Sequence, residues 1–205
     1  NKFIQFIKIY HFLLDIKNLQ FDDIILYIKM NLVIDFHGYR ISEHKNVLKE
    51  LAIVSLETDG NDVIIDKHYL FKPALKWENL SKDYQETYAM LFKVHGISWK
   101  KGSLNYESQK SILIENLKKA AYIYLFNFNS KEFLNEIVDN IEEYKIIYLN
   151  DLDYYEHKDE FQTKCKYHRN KDKNNCARDN VLKMRDWILS NRCLVKNNHT
   201  NNQPN

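Results

Sequence analysis

Long hydrophobic runs, surplus charge of one sign, cysteine, glycine and proline are all scarce in this 205-residue chain. Its most apolar stretch, residues 1–30, is broken by Lys8, Asp15, Lys17, Asp22 and Asp23. Every unbroken run there falls well short of the roughly 20 residues that a membrane-spanning helix needs. Lys and Arg number 30 against 28 Asp and Glu, a net charge of +2, so no global basic field exists and nucleic-acid binding would need a local patch. Three cysteines with no signal peptide ahead of them give no sign of an oxidising compartment, and the expected location is intracellular, in cytoplasm or nucleus. The 4 Gly and 2 Pro, beside abundant Lys, Asn, Ile and Tyr, read as the drift of an AT-rich genome and bear little on function.

What is present suffices for a folded domain. An apolar content of 44%, with 14 Tyr and 11 Phe, is ample for a buried core. Met30 directly precedes the first clean strand pattern, so residues 1–30 are read as a leader or a loosely packed helix and set apart from the fold. Leu32–Phe36, Val47–Leu56 and Val63–Phe71 then form three apolar runs separated by polar turns at 38–46 and 58–62, the pattern of an antiparallel meander. Ser81 caps a helix that ends at His95-Gly96-Ile97, and Glu107–Ala121 is a second helix. Tyr122–Phe126 is a fourth strand, Ser130 caps a third helix, Lys145–Leu149 is a fifth strand, and Ala177–Ile188 is a closing helix. The polar tail from 193 is expected to be disordered. Three meander strands followed by two strand-helix units make an α/β fold, a five-stranded mixed sheet flanked by helices in ribonuclease H-like order, over residues 31–192.

One short stretch carries recognisable chemistry. Cys165-Lys166-Tyr167-His168 is followed by Cys176-Ala177, a C-x2-H-x7-C-A spacing that offers three of the four ligands of a tetrahedral zinc knuckle. A helical pattern begins at Cys176, so the third ligand would pin the loop to a helix start. The alternative is two ordinary buried thiols and an exposed loop histidine. Cys193 is a bystander. The same region is locally basic: Lys164, Lys166, Arg169, Lys171, Lys173, Arg178, Lys183 and Arg185 against Asp172, Asp179 and Asp186. It is either a phosphate-binding surface or a solvated loop.

Exonucleases of this fold gather four carboxylates around two metal ions to neutralise both oxygens of an in-line displacement. Here the first strand ends Asp35-Phe36-His37, with a histidine where a glutamate is needed. Residues 127–130 contain no acid, and the closing helix has Asp179 one place early and Asn180 where a carboxylate should fall. Asp151 and Asp153 read as turn residues. Asp35, His37 and Asp179 are the only weak catalytic candidates, and they cannot hold two metals.

With these residues laid out, the chain resembles the Maelstrom domain, a ribonuclease H-like domain of animal small-RNA silencing. The resemblance rests on Cys165-x2-His168-x7-Cys176-Ala177 and on four upstream segments in order: Lys49-Glu50-Leu51-Ala52; residues 68–73; His95-Gly96-Ile97; and residues 147–152. It implies a degenerate exonuclease fold, loss of the carboxylates, and a structural zinc ion held by Glu50, Cys165, His168 and Cys176, with His95 in reserve. An otherwise odd glutamate in an apolar strand would then be metal-bound, rather than outward-facing. The implied partner is single-stranded RNA, reached through Lys164, Lys166, Arg169, Lys171, Lys173 and Arg178, or a protein. Two other readings stand beside it: an active RNA nuclease, with Asp35 and either Asp179 or Asp153 holding one metal, or a protein-interaction scaffold whose exposed Tyr154 and Tyr155 make the contacts. The family's DNA-bending box is not visible here, and Asp35-Phe36-His37 is more nuclease-like than the family pattern, which fits an insect-type sister family.

Overall fold

The structure, a computed structural model, describes residues 29–43, 45–155, 165–168 and 175–191. Its strands are β1 (Met30–Ser42), β2 (Lys45–Ser55), β3 (Thr58–Asp59), β4 (Asp62–Val63), β5 (Asp66–Leu70), β6 (Ala120–Leu125) and β7 (Ile146–Tyr148). Its helices are α1 (Lys82–His95), α2 (Gln109–Leu117), α3 (Phe128–Asn135) and α4 (Ala177–Ser190). Five strands form one mixed sheet in the order β5-β2-β1-β6-β7, while β3 and β4 make a separate small hairpin. β1 pairs antiparallel with β2 and β2 with β5; β6 lies parallel to β1, and β7 parallel to β6. No described helix is long and apolar enough to cross a membrane.

Both faces of this sheet are covered, and strand alternation divides the core. Met30, Leu32 and Ile34 of β1, with Leu51 and Ile53 of β2, pack on one side with Leu113 and Leu117 of α2 and Leu134 of α3. Val33 of β1 and Ala52 and Val54 of β2 face the other way, against Ala177, Val181, Met184 and Ile188 of α4. Those helical residues recur at the three- and four-residue spacing of one buried stripe. Burying such side chains contributes about 1.5–3 kcal/mol each, which makes α4 a structural wall rather than an appendage. A third cluster, built on Tyr39, Tyr88 and Trp99, closes the end near α1.

The structure redraws several expected boundaries. β1 does not stop at Phe36 but continues to Ser42, with an irregularity between His37 and Gly38. The run 63–71 divides: Asp62–Val63 folds back on Thr58–Asp59, and only Asp66–Leu70 joins the sheet. α2 ends at Leu117, ahead of a β6 that begins at Ala120. The cap of α3 is Asn127, not Ser130; Asn127 Oδ1 accepts from the Ser130 N–H at 3.0 Å. Ser81 caps α1 as expected, and Gly96, at φ 65°, terminates it. Tyr154 is 6% exposed and packs on Phe126 and Trp187, so it cannot serve as a contact, whereas Tyr155 is open. The segment 1–28 and the tail from 192, including Cys193, lie outside the described residues.

Candidate metal centre

Strand periodicity decides which polar groups meet. Because Val33 faces α4, so do Asp35 and His37; because Ala52 and Val54 face α4, so does Glu50. His68 on β5 is paired directly with Ala52 and shares that face. Opposite them, Cys176 occupies the N-cap of α4 and the turn 165–168 brings Cys165 and His168. One donor atom from each of Glu50, Cys165, His168 and Cys176 lies within 4.8 Å of all the others. The structure therefore gathers the four residues into one cluster that could hold a metal ion. Glu50 has no exposed surface, so it is not an outward-facing strand residue, and His168 is buried rather than an open loop histidine.

The cluster is held by a surrounding set of hydrogen bonds. His168 Nδ1 faces the His95 carbonyl, which leaves Nε2 turned to Glu50 Oε1 at 3.1 Å. His68 Nε2 meets the same carboxylate oxygen at 2.6 Å, and the Ala177 N–H donates to Oε2 at 3.2 Å. His37 Nε2 is 3.5 Å from Oε2 and 2.7 Å from the Asn175 carbonyl. His95 is not a member of the cluster. Its Nδ1 accepts the Ile97 N–H at 3.0 Å, and its carbonyl is the His168 partner.

Electrostatics follow from this crowding. Burial alone would raise the Glu50 carboxyl, but hydrogen bonds from His168 and His68 and the nearby His37 outweigh it and hold the group far below the usual carboxylate range. Burial pulls the His168 ring down, yet its bonds to Cys165 and Glu50 overcome that and raise it to about 10. The hydrogen bond with Cys176 lowers Cys165 to about 4 against burial, while that bond and burial both push Cys176 up. No disulfide joins the two sulfurs. A carboxylate, an imidazole and two sulfurs this close and this dry are a donor set that a divalent cation neutralises, with protons leaving Cys176 and the His168 ring as it binds. The residues present fit such an ion.

No family model and no curated protein matches this chain. Its chemistry is thus read from its own residues.

Next to the cluster lies a small cavity of about 180 Å³ lined by Asp35, His37, Phe126, Tyr154, Asn175 and Asn180 among others. Asn180 Nδ2 donates to Asp35 Oδ2 at 2.8 Å and also to Asn175 Oδ1. Burial outweighs the His37 charge and this amide bond and raises the Asp35 carboxyl to about 6. Asp179, one residue earlier on α4, does not line the cavity. Asp35 and His37 are brought together, and Asp179 is not.

Of the basic residues expected to meet nucleic acid, Lys164, Arg169, Lys171 and Lys173 lie outside the described residues. Lys166 is exposed, with its ammonium 5.4 Å from the Tyr167 ring. Arg178 is engaged in a bidentate pair with Asp66, at 3.2 and 2.6 Å. Arg185 is likewise committed, donating to the carbonyls of Ser55 and Leu56 at 2.9 and 3.2 Å. Sequence reasoning gave no role to two residues that matter here, His68 and Lys49, and took His37 for a catalytic candidate rather than a neighbour of the cluster. His68 braces Glu50, His37 sits between the cluster and the cavity, and Lys49 is 1% exposed. The Lys49 ammonium donates to the carbonyls of Phe71 at 3.2 Å, Trp99 at 2.6 Å and Lys101.

Proposed function

We propose that this chain is a zinc-stabilised domain of ribonuclease H-like fold, akin to the Maelstrom domain or a sister family, which no longer performs two-metal hydrolysis and binds single-stranded RNA. Support for the fold comes from the strand order β5-β2-β1-β6-β7, a three-stranded antiparallel unit continued by two parallel strands. The observation that carries the reading is the contrast between two neighbouring sites. One collects Glu50, Cys165, His168 and Cys176, three of them buried and Cys165 half-buried, whereas the other holds Asp35 against an amide, Asn180, where a second carboxylate would be needed.

Two thiolates and an imidazole select zinc over magnesium or manganese, and four protein donors leave no open position for a catalytic water. When bound, the ion supplies charge neutralisation and a cross-link between β2, the turn 165–168 and the start of α4. His68, His37 and the Ala177 N–H orient the Glu50 carboxylate, and the His95 carbonyl fixes the His168 tautomer. The domain's role is then to present a surface to RNA in a silencing-type pathway.

Elemental analysis of the purified chain tests the centre. One equivalent of zinc is expected, lost in Cys165→Ser and Glu50→Ala together with stability on the order of 10 °C in melting temperature. A wild-type chain that folds stably without zinc would sink the site. Nuclease assays with magnesium or manganese are expected to show no cleavage of single-stranded RNA. Cleavage that disappears in Asp35→Ala would replace this reading with that of an active enzyme.

A further inference from the structure

A cleft of about 720 Å³ lies away from both the cluster and the Asp35 cavity, between residues 72–78 on one side and Trp99 and Lys100 on the other. Its aromatic residues are rigidly mounted. The rings of Trp77 and Trp99 are 5.4 Å apart at 67°, and Trp99 is backed by Tyr88 and Tyr39 at 4.7 and 4.9 Å. Trp77 remains partly exposed, while Trp99 is 8% exposed. The indole Nε1–H of Trp99 is buried and finds no acceptor among the described residues. An unmatched buried donor is uncommon, because it gives up its bond to water and gains nothing in return.

The rim is mainly basic. Lys72, Lys76 and Lys100 are exposed and form no ion pair among the described residues, and Glu78 is the only acid lining the cleft. They differ in this from Arg178 and Arg185, whose guanidinium groups are committed to the protein itself. An aromatic cleft without charge would suit a proline-rich peptide. Three uncommitted lysines favour a polyanion, and the combination of ring faces with surrounding cations is what single-stranded nucleic acid uses.

We propose that this cleft is the principal RNA contact. One base stacks against Trp77, while the flanking phosphates meet Lys72, Lys76 and Lys100. This rests on the RNA-binding reading above and moves the contact from the knuckle's basic loop to the cleft beside Trp99 and Lys100. That segment is fixed from the metal-centre side: Lys49 Nζ holds the Trp99 carbonyl at 2.6 Å, and Lys101 Nζ donates to the Tyr167 carbonyl at 3.1 Å. The cleft is therefore braced by the residue next to Glu50 and by the turn that carries His168.

The test is fluorescence anisotropy of a labelled single-stranded oligouridylate with the full chain, across a salt series. Reversing Lys72, Lys76 and Lys100 together to Glu should weaken binding at least about tenfold and flatten the salt slope by about 2, at roughly 0.7 per lost phosphate contact. Trp77→Ala should weaken it about fivefold or more at unchanged salt slope. Because Trp77 also packs on its neighbours, thermal melts accompany that variant; the lysine variants, altered only at the surface, carry the decision if it fails to fold. Reversal of Lys166 alone should cost little. Wild-type affinity in the triple lysine variant would overturn the cleft while leaving RNA binding intact. No binding by the wild type at low salt would overturn RNA binding and the cleft with it. A proline-rich peptide that binds through Trp77 where RNA does not would show that the occupant is of the wrong class.

Discussion

Asp35 keeps some accessible surface inside its cavity, yet protein crowds it closely enough that burial raises its carboxyl to about 6. A carboxyl whose folded value lies above its unfolded one binds more protons when folded. Its contribution is most favourable below about pH 4 and is lost as pH rises through about 6. Asp35→Asn keeps an acceptor for Asn180 and removes the buried charge. The variant should be more stable than wild type near neutral pH by about 1–2 kcal/mol, discounted for solvent in the cavity, and the gain should fade near pH 4. Melting temperatures at the two pH values check this. A loss of stability at neutral pH would mean that the carboxylate holds a cation, which is the outcome an active nuclease requires. Lys49 makes the opposite case. Burial pulls its amine down from the ordinary value, but three carbonyls meet the three protons of the ammonium form. Lys49→Met would leave those carbonyls unanswered and should cost about 2–5 kcal/mol in denaturant unfolding. A cost under about 1 kcal/mol would show that water replaces the ammonium.

Among the elements, the loop that joins Trp99 to α2 depends on one glycine. Gly102 adopts φ +152°, and a Cβ there would lie 2.4 Å from the backbone of Phe71 and Lys72. That approach lets Lys72 N–H reach the Leu104 carbonyl at 2.7 Å and Ser103 N–H the Leu70 carbonyl at 3.0 Å. Gly102→Ala should therefore lower stability by about 1–3 kcal/mol; an unchanged melting curve would mean that the loop can move aside without loss. Elements with a local chemical marker were legible in the sequence, as Ser81 and Gly96 mark the ends of α1. Gly38 misled because it looks like a turn residue. Its actual use is close packing, since a Cβ there would sit 2.0 Å from the Phe133 ring, and β1 continues past it after a register irregularity at His37/Gly38. Asn127 was passed over as a cap because Ser130 is equally suitable by type; only geometry shows Ser130 accepted by Asn127. The division of 63–71 was hidden for a similar reason, because Val63 pairs in the small hairpin while Ile65, two residues on in the same apolar run, packs into the main core.

At the scale of the molecule, three members of the cluster were visible from spacing, because Cys165, His168 and Cys176 are close in sequence. Glu50 was reachable only through a resemblance, since its partner Cys176 is 126 residues away. His68 and His37 were unreadable as its braces, because facing residues on three strands depend on register, which alternation alone does not fix. That long separation sets what the ion does mechanically. It ties a central strand to the first turn of α4, while α4 also buries Ala177, Val181, Met184 and Ile188 against the sheet independently of any metal. Chelation should therefore loosen the N-terminal end of α4 before it melts the sheet. Trp187, near the C-terminal end of α4 and 5.4 Å from Tyr154, reports whether that loosening spreads along the helix. Replacing Trp77 and Trp99 by Phe leaves it as the sole tryptophan of the three in the chain. Added chelator should shift its emission to the red while far-ultraviolet circular dichroism keeps most of its strand signal, and restored zinc should reverse the shift. Simultaneous loss of both signals would mean that the ion is needed for the whole fold. If neither signal changes in protein shown to be metal-free, the cross-link carries no structural weight and α4 is held by its apolar stripe alone.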